Sequence, residues 1–386
     1  MALTSSAQVL SVADSDRWAE VLERMAAHDF CHLPAYSRLA EMSGHGRAVM
    51  FVYQEGEHTL AFPLLFRQIE DGQGHIGGGP WTDVTSVYGY AGPLATGEQI
   101  PEDVAGRFMA WVTDCFREQR AVSALSRMHP LLSQQTSILS GFGEIAPVGW
   151  TLSVDLTAPE EEQTRSYRRN HRQDIKRLRS MGVTCEEVGT ERVDEFVDIY
   201  YENMDRVGAS SEYYFSRDYF RRLFGDMPGV THLFMCHHEG RAIAAGIFTI
   251  CSGICQWYLS GSRSDFSGPP PTKLMFDDAR HWARASGAHV LHLGGGVGGS
   301  RDSLYHFKRG FTQREHVYSI WKYVVHQQVY DELSRLMCEI HGLAPADGYF
   351  PLYRHPAFQQ VAARAEGGQA HPLDSGRREA EAADGD

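Results

Sequence analysis

Lysine is scarce in this chain. Its 386 residues include 36 basic side chains, of which only Lys176, Lys273, Lys308 and Lys322 are lysine. Long apolar runs are missing too: none approaches the ~20 residues of a membrane helix, and the first residues show no basic stretch followed by an apolar one. Neither a membrane span nor a secretory leader is expected, and a cytoplasmic location is. Paired cysteines are also lacking. The seven (Cys31, Cys115, Cys185, Cys236, Cys251, Cys255, Cys338) are scattered and odd in number. The one close pair, Cys251 and Cys255, lies in apolar, strand-like sequence without a second pair or a histidine pair at zinc spacing. Buried free thiols are expected, with no metal site and no bound cofactor. Net positive charge is absent as well: a formal charge of −13 repels polyanions over the surface at large. A nucleic-acid partner would therefore need a local basic patch.

Such a patch is present. Arg165, Arg168, Arg169, His171, Arg172, Lys176, Arg177 and Arg179 fall within Pro159 to Met181, which reads as one helix, with only Asp174 opposing them from Arg165 onward. It is either a nucleic-acid-steering surface or a solvated arginine-rich face. A chain of 386 residues exceeds the usual size of one core, and its 42% hydrophobic and 22% charged content is that of a globular protein, so two domains are expected. Residues 1–14 show no pattern and read as a loose end. Helical spacing predicts helices over 16–27, 103–119, 192–204, 216–224, 274–286 and 329–341. Apolar runs predict strands over 48–54 and 59–66, joined by a tight turn at Glu55-Gly56-Glu57, and over 122–128, 150–156, 183–188, 232–237, 242–251, 254–261 and 317–325. From about 362 the sequence loses its large apolar residues and reads as a disordered acidic tail, 362–386.

The stretch from Leu293 to Phe311, LGGGVGGSRDSLYHFKRGF, stands out. It follows an alternating strand-like run, His289 to Leu293. The five glycines within 294–299 let the backbone approach another group closely, Ser300 is placed to cap a helix, and Gly310 to end it. Within that helix Leu304, Phe307 and Lys308 share a face. A lysine held among aromatic rings can donate to an oxyanion or a phosphate, which acyl transfer requires; it can equally be a surface lysine lying over an aromatic core. The run matches neither GxxxxGK[ST] nor GxGxxG with the flanks those loops need.

The segment YHFKRGF after a strand and a glycine-rich turn resembles the end of the second domain of Fem-type aminoacyltransferases, the FemX, FemA and FemB group. The resemblance extends to Arg168–Arg177 (RRNHRQDIKR), Ile199–Phe215 (IYYENMDRVGASSEYYF), Asp29–Tyr36 (DFCHLPAY) and Gly79–Asp83 (GPWTD), and so over most of residues 15–325. It implies an α/β chain of two tandem GNAT-like domains with mixed, mainly antiparallel sheets flanked by helices. Residues 1–157 would form an acceptor-side domain and 158–345 a donor and catalytic domain.

The activity implied is transfer of an amino acid from aminoacyl-tRNA to a primary amine, forming an amide. The amine would belong to a peptidoglycan precursor or to a small molecule, as in cell-wall or antibiotic biosynthesis. Lys308 would neutralise the oxyanion or a tRNA phosphate. Arg168, Arg169, Arg172 and Lys176 would steer the acceptor stem. Trp257, Tyr305 and Phe307 would stack on the terminal adenine or simply pack the core, while Tyr88, Tyr90, Arg206 and Tyr214 would face the acceptor. Asp83 would act as general base, hold a cationic acceptor, or bond its own loop backbone. One departure from CoA-dependent GNAT enzymes is informative: where they carry a glycine-rich pyrophosphate loop, this chain has Pro269, Pro270 and Pro271, which have no amide hydrogen to offer. An acyl-CoA N-acyltransferase with an altered loop is the alternative, and a non-catalytic binding protein on the same fold is the second.

Overall fold

The computed structural model describes residues 5–70, 80–342, 344 and 348–358. The acidic tail, the glycines at 74–79 and the expected domain end at 345 lie outside them. The chain enters through β1 (Ser5–Ser11), α1 (Ser15–Glu23), α2 (Pro34–Met42), β2 (Arg47–Glu55), β3 (His58–Gln68), β4 (Thr82–Thr85) and the two-residue β5 (Leu94–Ala95). It continues with α3 (Glu102–Glu118), β6 (Ala121–Arg127), α4 (Gln134–Leu139) and β7 (Glu144–Asp155). After α5 (Glu160–Arg165) and α6 (Arg169–Ser180) come β8 (Thr184–Val188), α7 (Val193–Val207), α8 (Arg217–Gly225), β9 (Thr231–His238), β10 (Arg241–Cys251) and β11 (Ile254–Ser262). The last elements are α9 (Thr272–Ala285), β12 (Val290–Gly294), α10 (Ser303–Lys308), β13 (Glu315–Val324) and α11 (Gln327–His341).

The same order of elements occurs twice. A strand, two helices, three antiparallel strands, a crossover helix and a parallel strand are followed by a short helix and a final strand. In the first half these run from β1 to β7, and in the second from β8 to β13. The repeat is invisible in residue identity and plain in topology. The two halves form one sheet in the order β1-β2-β3-β4-β6-β13-β7-β12-β11-β10-β9-β8, with β5 on β3. Each half's final strand has crossed to the other: β7 pairs antiparallel with β12, and β13 pairs antiparallel with β6 and with β7. The sheet therefore runs unbroken past the boundary expected near 157. Burial follows this layout. Phe30, Tyr36 and Leu39 of the first half share one core with Phe196, Tyr200, Phe220 and Ile247 of the second. A second core gathers Leu291, Leu293, Trp257, Phe276 and Phe311 beneath α6 and α9.

Two sequence expectations change. The supposed loose end is β1, an edge strand registered on β2 from Ser5–Glu55 to Ser11–Val49. Almost all of its side chains are exposed, so it carries no apolar signal, and backbone pairing alone defines it. The single basic helix is two. Between α5 and α6, Ser166 Oγ donates to the Gln163 and Phe311 carbonyls and Arg168 N to the Gly310 carbonyl, which turns Tyr167 inward to bond Asp277. No proline or glycine marks that break; burial of one tyrosine makes it.

Candidate active site

β11 and β12 run parallel but pair at only three positions, Ile254–Val290, Cys255–Leu291 and Gln256–His292. Beyond these β11 continues to Ser262 while β12 bends at Gly294 towards β7, where a bulge separates His292 and Gly294. The two strands part and leave a wedge in the sheet. At the corresponding place in the first half the opening between β4 and β6 is sealed: Ala91 bridges Met128, and Gln135 of α4 donates to the Ala91 carbonyl at 2.7 Å while accepting from His129 N at 2.7 Å. Only the second half keeps its opening, and α10, the counterpart of α4, places Lys308 there.

The glycine run earns its composition locally. Gly294 has φ +67°, and a Cβ on Gly295 would run into the Trp150 carbonyl of β7. The close neighbour is thus the sheet itself. α10 is capped by Asp302, not by Ser300: its carboxylate accepts from Tyr305 N at 2.8 Å and from Val297 N at 2.9 Å, clamping the glycine turn to the helix. Gly310 is required because a side chain there would strike the His171 ring. Lys308 Nζ, half-buried, donates to the Gly295 carbonyl at 2.7 Å and sits 5.9 Å from the Trp257 ring centre. Burial lowers its pKa to about 8 against the pull of Asp302. Tyr90 arrives from the first half. Its hydroxyl would be 3.2 Å from a Cβ on Gly294, and Lys308 Nζ 3.5 Å from the same point. Lys308 and Tyr90 thus flank one spot at the mouth of the wedge.

α6 docks on the end of α10. His171 bonds the Phe307 carbonyl at 3.0 Å, and burial first, then Lys273, hold its pKa down at about 4, so the ring is neutral and donates. This brings the start of the basic helix beside Lys308. Arg168, Arg169, Arg172 and Lys176 are exposed, and among the described residues none has a carboxylate within ion-pair distance, whereas Lys273 is paired with Asp174 at 2.6 Å and Arg179 with Asp277 and Asp278.

The other expected residues fall differently. Asp83, on β4, is fully buried and both its oxygens are engaged, by Arg67 (2.9 and 3.2 Å) and by Arg354. Four strand spacings, about 19 Å, separate β4 from β12. A carboxylate saturated by two guanidiniums at that distance has no place in a proton transfer at Lys308, so the general-base expectation is corrected to a structural clamp. Tyr305 is also corrected: it is fully buried and its hydroxyl donates to Glu315 at 2.5 Å, as part of a lock with Arg301 and Arg309. Trp257 is buried in the core, where it stacks on Phe248 and meets Phe307 edge to face, with Lys308 Nζ over its ring. Arg206 bonds Asn203 and Ser262, and Tyr214 donates to Asp205 at 2.7 Å; both lie exposed at the end of α7. Tyr88 is partly exposed and edge-on to Phe215.

Sequence reasoning missed a histidine group behind Tyr90. Tyr90 lies edge-on to His292 at 4.8 Å, His292 is 5.9 Å from His129, and His129 Nε2 pairs with Asp29 at 3.1 Å, all three of the latter fully or almost fully buried. A histidine inside the alternating run His289 to Leu293 was the available signal. Among the described residues, no group of three or more His, Cys, Asp or Glu side chains could hold a metal ion, and all seven cysteines are free. No described helix is long and apolar enough to cross a membrane.

At the α9 entrance, Pro269, Pro270 and Pro271 have no amides to give. Lys273 N donates to the Pro270 carbonyl, and Leu274 N and Met275 N to that of Pro271. Apart from Thr272 N, the backbone donors that would cradle a pyrophosphate at this helix start are missing or already used.

Comparison with known proteins agrees with this geometry. Residues 165–309 match the acetyltransferase (GNAT) domain family. No curated protein matches the chain. Among solved structures, the crystal structure of FemX superposes with a TM-score of 0.66 at 12% identity, covering 85% of this chain and 99% of that one. L-PGS from Bacillus licheniformis gives a TM-score of 0.51 at 14% identity, over 81% of this chain and 92% of that one. The chain therefore has the Fem-type, GNAT-like fold, and the half that matches the acetyltransferase domain is the half whose wedge stays open.

Proposed function

We propose that this protein is an aminoacyltransferase that moves an amino acid from aminoacyl-tRNA to a primary amine, forming an amide. One observation carries the reading: Lys308 stands at the mouth of the open wedge with the unpaired basic start of α6 docked beside it. The ester carbonyl of the donor would sit at Gly294. The neutral amine nitrogen attacks it, a tetrahedral oxyanion forms beside the Lys308 ammonium, the bond from carbonyl carbon to ribose oxygen breaks as Lys308 protonates that oxygen, and the nitrogen returns its proton to the Lys308 amine as the amide forms. Exposed Arg168, Arg169, Arg172 and Lys176 would hold the acceptor-stem phosphates against an otherwise acidic surface. The first half, residues 1–157, would present the amine past Tyr90 and Tyr88, and residues 158–345 would hold the donor. The amine belongs to a peptidoglycan precursor or to a small molecule. That L-PGS and FemX share the fold is consistent with this reading.

The second reading, an acyl-CoA N-acyltransferase, draws on the family match at 165–309. The prolines before α9 weigh against it. The deciding experiment offers the wild type and Lys308→Ala a pool of charged tRNA or acetyl-CoA, with a cell extract as source of amine. Label leaving the tRNA only with extract, and lost by about 10²–10³-fold in Lys308→Ala, is the expected result. Micromolar CoA binding that tRNA fails to displace would establish the second reading instead. Binding of charged tRNA without any transfer would mark a non-catalytic binder.

A further inference from the structure

Beneath the wedge, polar side chains stand on one face of the sheet with atoms that bond nothing. Thr249 Oγ1, Gln256 Oε1 and both ring nitrogens of His292 lack partners, and the three residues are 0–3% exposed. They are neighbours across three strands, since Thr249 registers with Gln256 and Gln256 with His292. Cys255, Trp257, Leu291 and Leu293 point into the core under α6 and α9, so the alternation of side chains turns Gln256 and His292 to the opposite face, towards Tyr90 and His129. Buried polar atoms are normally paired, and a row of unpaired ones marks a place where something else supplies the partner.

The row lies within reach of the reaction. Tyr90 spans the distance from His292 to Gly294: its ring lies 4.8 Å from the His292 ring, and its hydroxyl would be 3.2 Å from a Cβ on Gly294. With the donor carbonyl at Gly294, beside Lys308 and Tyr90, its substituent extends over His292 and Gln256. Burial, with His129, His316 and Lys308 around it, keeps His292 neutral. Lys308 disfavours a cationic substituent there, and the nearby Asp29 carboxylate an anionic one.

We propose that Thr249, Gln256 and His292 form the pocket for the side chain of the transferred amino acid, and that they select one ending in an uncharged hydrogen-bonding group, a hydroxyl or a carboxamide. The inference rests on the aminoacyl-tRNA reading. A site built to hydrogen-bond its ligand rejects an isostere lacking the group far more strongly than an apolar pocket can discriminate shape.

The test measures binding of short acceptor-stem RNAs carrying an amide-linked, non-transferable threonyl, valyl, asparaginyl or leucyl group. Wild type is expected to favour Thr over Val, or Asn over Leu, by about tenfold or more. His292→Leu and Gln256→Leu should bring that ratio below about threefold, by weakening the hydroxyl or carboxamide analogue more than the apolar one. Both should melt at or above the wild-type temperature, because an apolar side chain replaces an unpaired polar one. Thr249→Val, an isosteric change, gives a smaller loss of the same sign and serves if either leucine variant fails to fold. Ratios near one in the wild type, or ratios that no variant moves, overturn the inference while leaving the donor assignment standing. If none of these RNAs binds, the aminoacyl-tRNA reading itself falls.

Discussion

Lys308 is held where its charge is costly, and the cost is readable in pH. Its pKa lies near 8 in the folded protein against an ordinary 10.5, chiefly through burial. A step that needs the ammonium should therefore slow as pH rises through about 8, and Lys308→Arg, if active, should lose that fall because a guanidinium stays charged; a pH–rate profile of both proteins checks this. Stability follows the opposite sense. Below pH 8 both the folded and the unfolded lysine are protonated, and the folded state bears the full penalty of burying the charge; between 8 and 10.5 only the unfolded state remains charged, so stability rises with pH. Lys308→Met is thus expected to gain most in melting temperature below pH 8, with the gain shrinking towards pH 10. Asp83 makes the converse case. Asp83→Asn leaves Arg67 and Arg354 without their carboxylate and should cost about 3–5 kcal/mol in urea unfolding while the transfer rate per folded molecule stays unchanged. The place of Lys308, at the end of a short helix among aromatic rings, was legible from the spacing of Leu304, Phe307 and Lys308. Asp83 was misleading because a loop aspartate after Gly-Pro looks free until the arginine 271 residues later is seen to bond it.

At the scale of elements, position depends on how helices end and what they touch. Asp302 joins the glycine turn to α10, so Asp302→Ala should cost about 1 kcal/mol in stability but reduce transfer by more than that fraction of unfolding explains, because Lys308 loses its fixed approach; comparing kcat with the folded fraction separates the two. Replacing Arg168, Arg169, Arg172 and Lys176 together by Gln should lower the slope of log affinity for tRNA against log salt by about 3, and salt titrations of binding measure it. Most helices and strands were legible from their apolar periods, since those periods are the same burial that the fold requires. The break between α5 and α6 was not, because it depends on Tyr167 meeting Asp277 across 110 residues. Nor was the sealed opening of the first half, which a single bridge between Ala91 and Met128 and one glutamine of α4 close across distant segments. The histidine group shares this character: Asp29, His129 and His292 come from three distant segments, and only His292, inside its alternating apolar run, carried a local signal.

For the whole molecule, the crossing of β7 and β13 between halves sets the terms. Residues 1–157 alone would leave β7 without either neighbour and β6 with an open edge, and residues 158–358 alone would leave β13 in the same state. Neither fragment is expected to be soluble as a folded monomer, the two co-expressed should associate, and the full chain should unfold in one transition whether followed by tryptophan fluorescence or by far-UV circular dichroism. The tandem GNAT-like fold was legible from length and resemblance, but the exchange was not, because strand partners 135 or more residues apart leave no trace in local pattern. The exchange also bears on synthesis. β7 emerges from the ribosome and then waits for β12 and β13, roughly 140–170 residues later, a delay of about 10–30 s at ordinary translation rates. Throughout that interval a twelve-residue strand is available to any other nascent or unfolded chain. Pro147 and Gly149 interrupt its outer half, where most side chains remain exposed even in the finished protein. They withhold one amide and weaken strand propensity over the stretch that stands unpaired longest, so replacing Pro147 by valine should raise the aggregated fraction during expression before it changes anything measurable in the folded protein, whereas a Cβ at Gly149 would strike the Gly299 backbone and disturb the glycine turn itself.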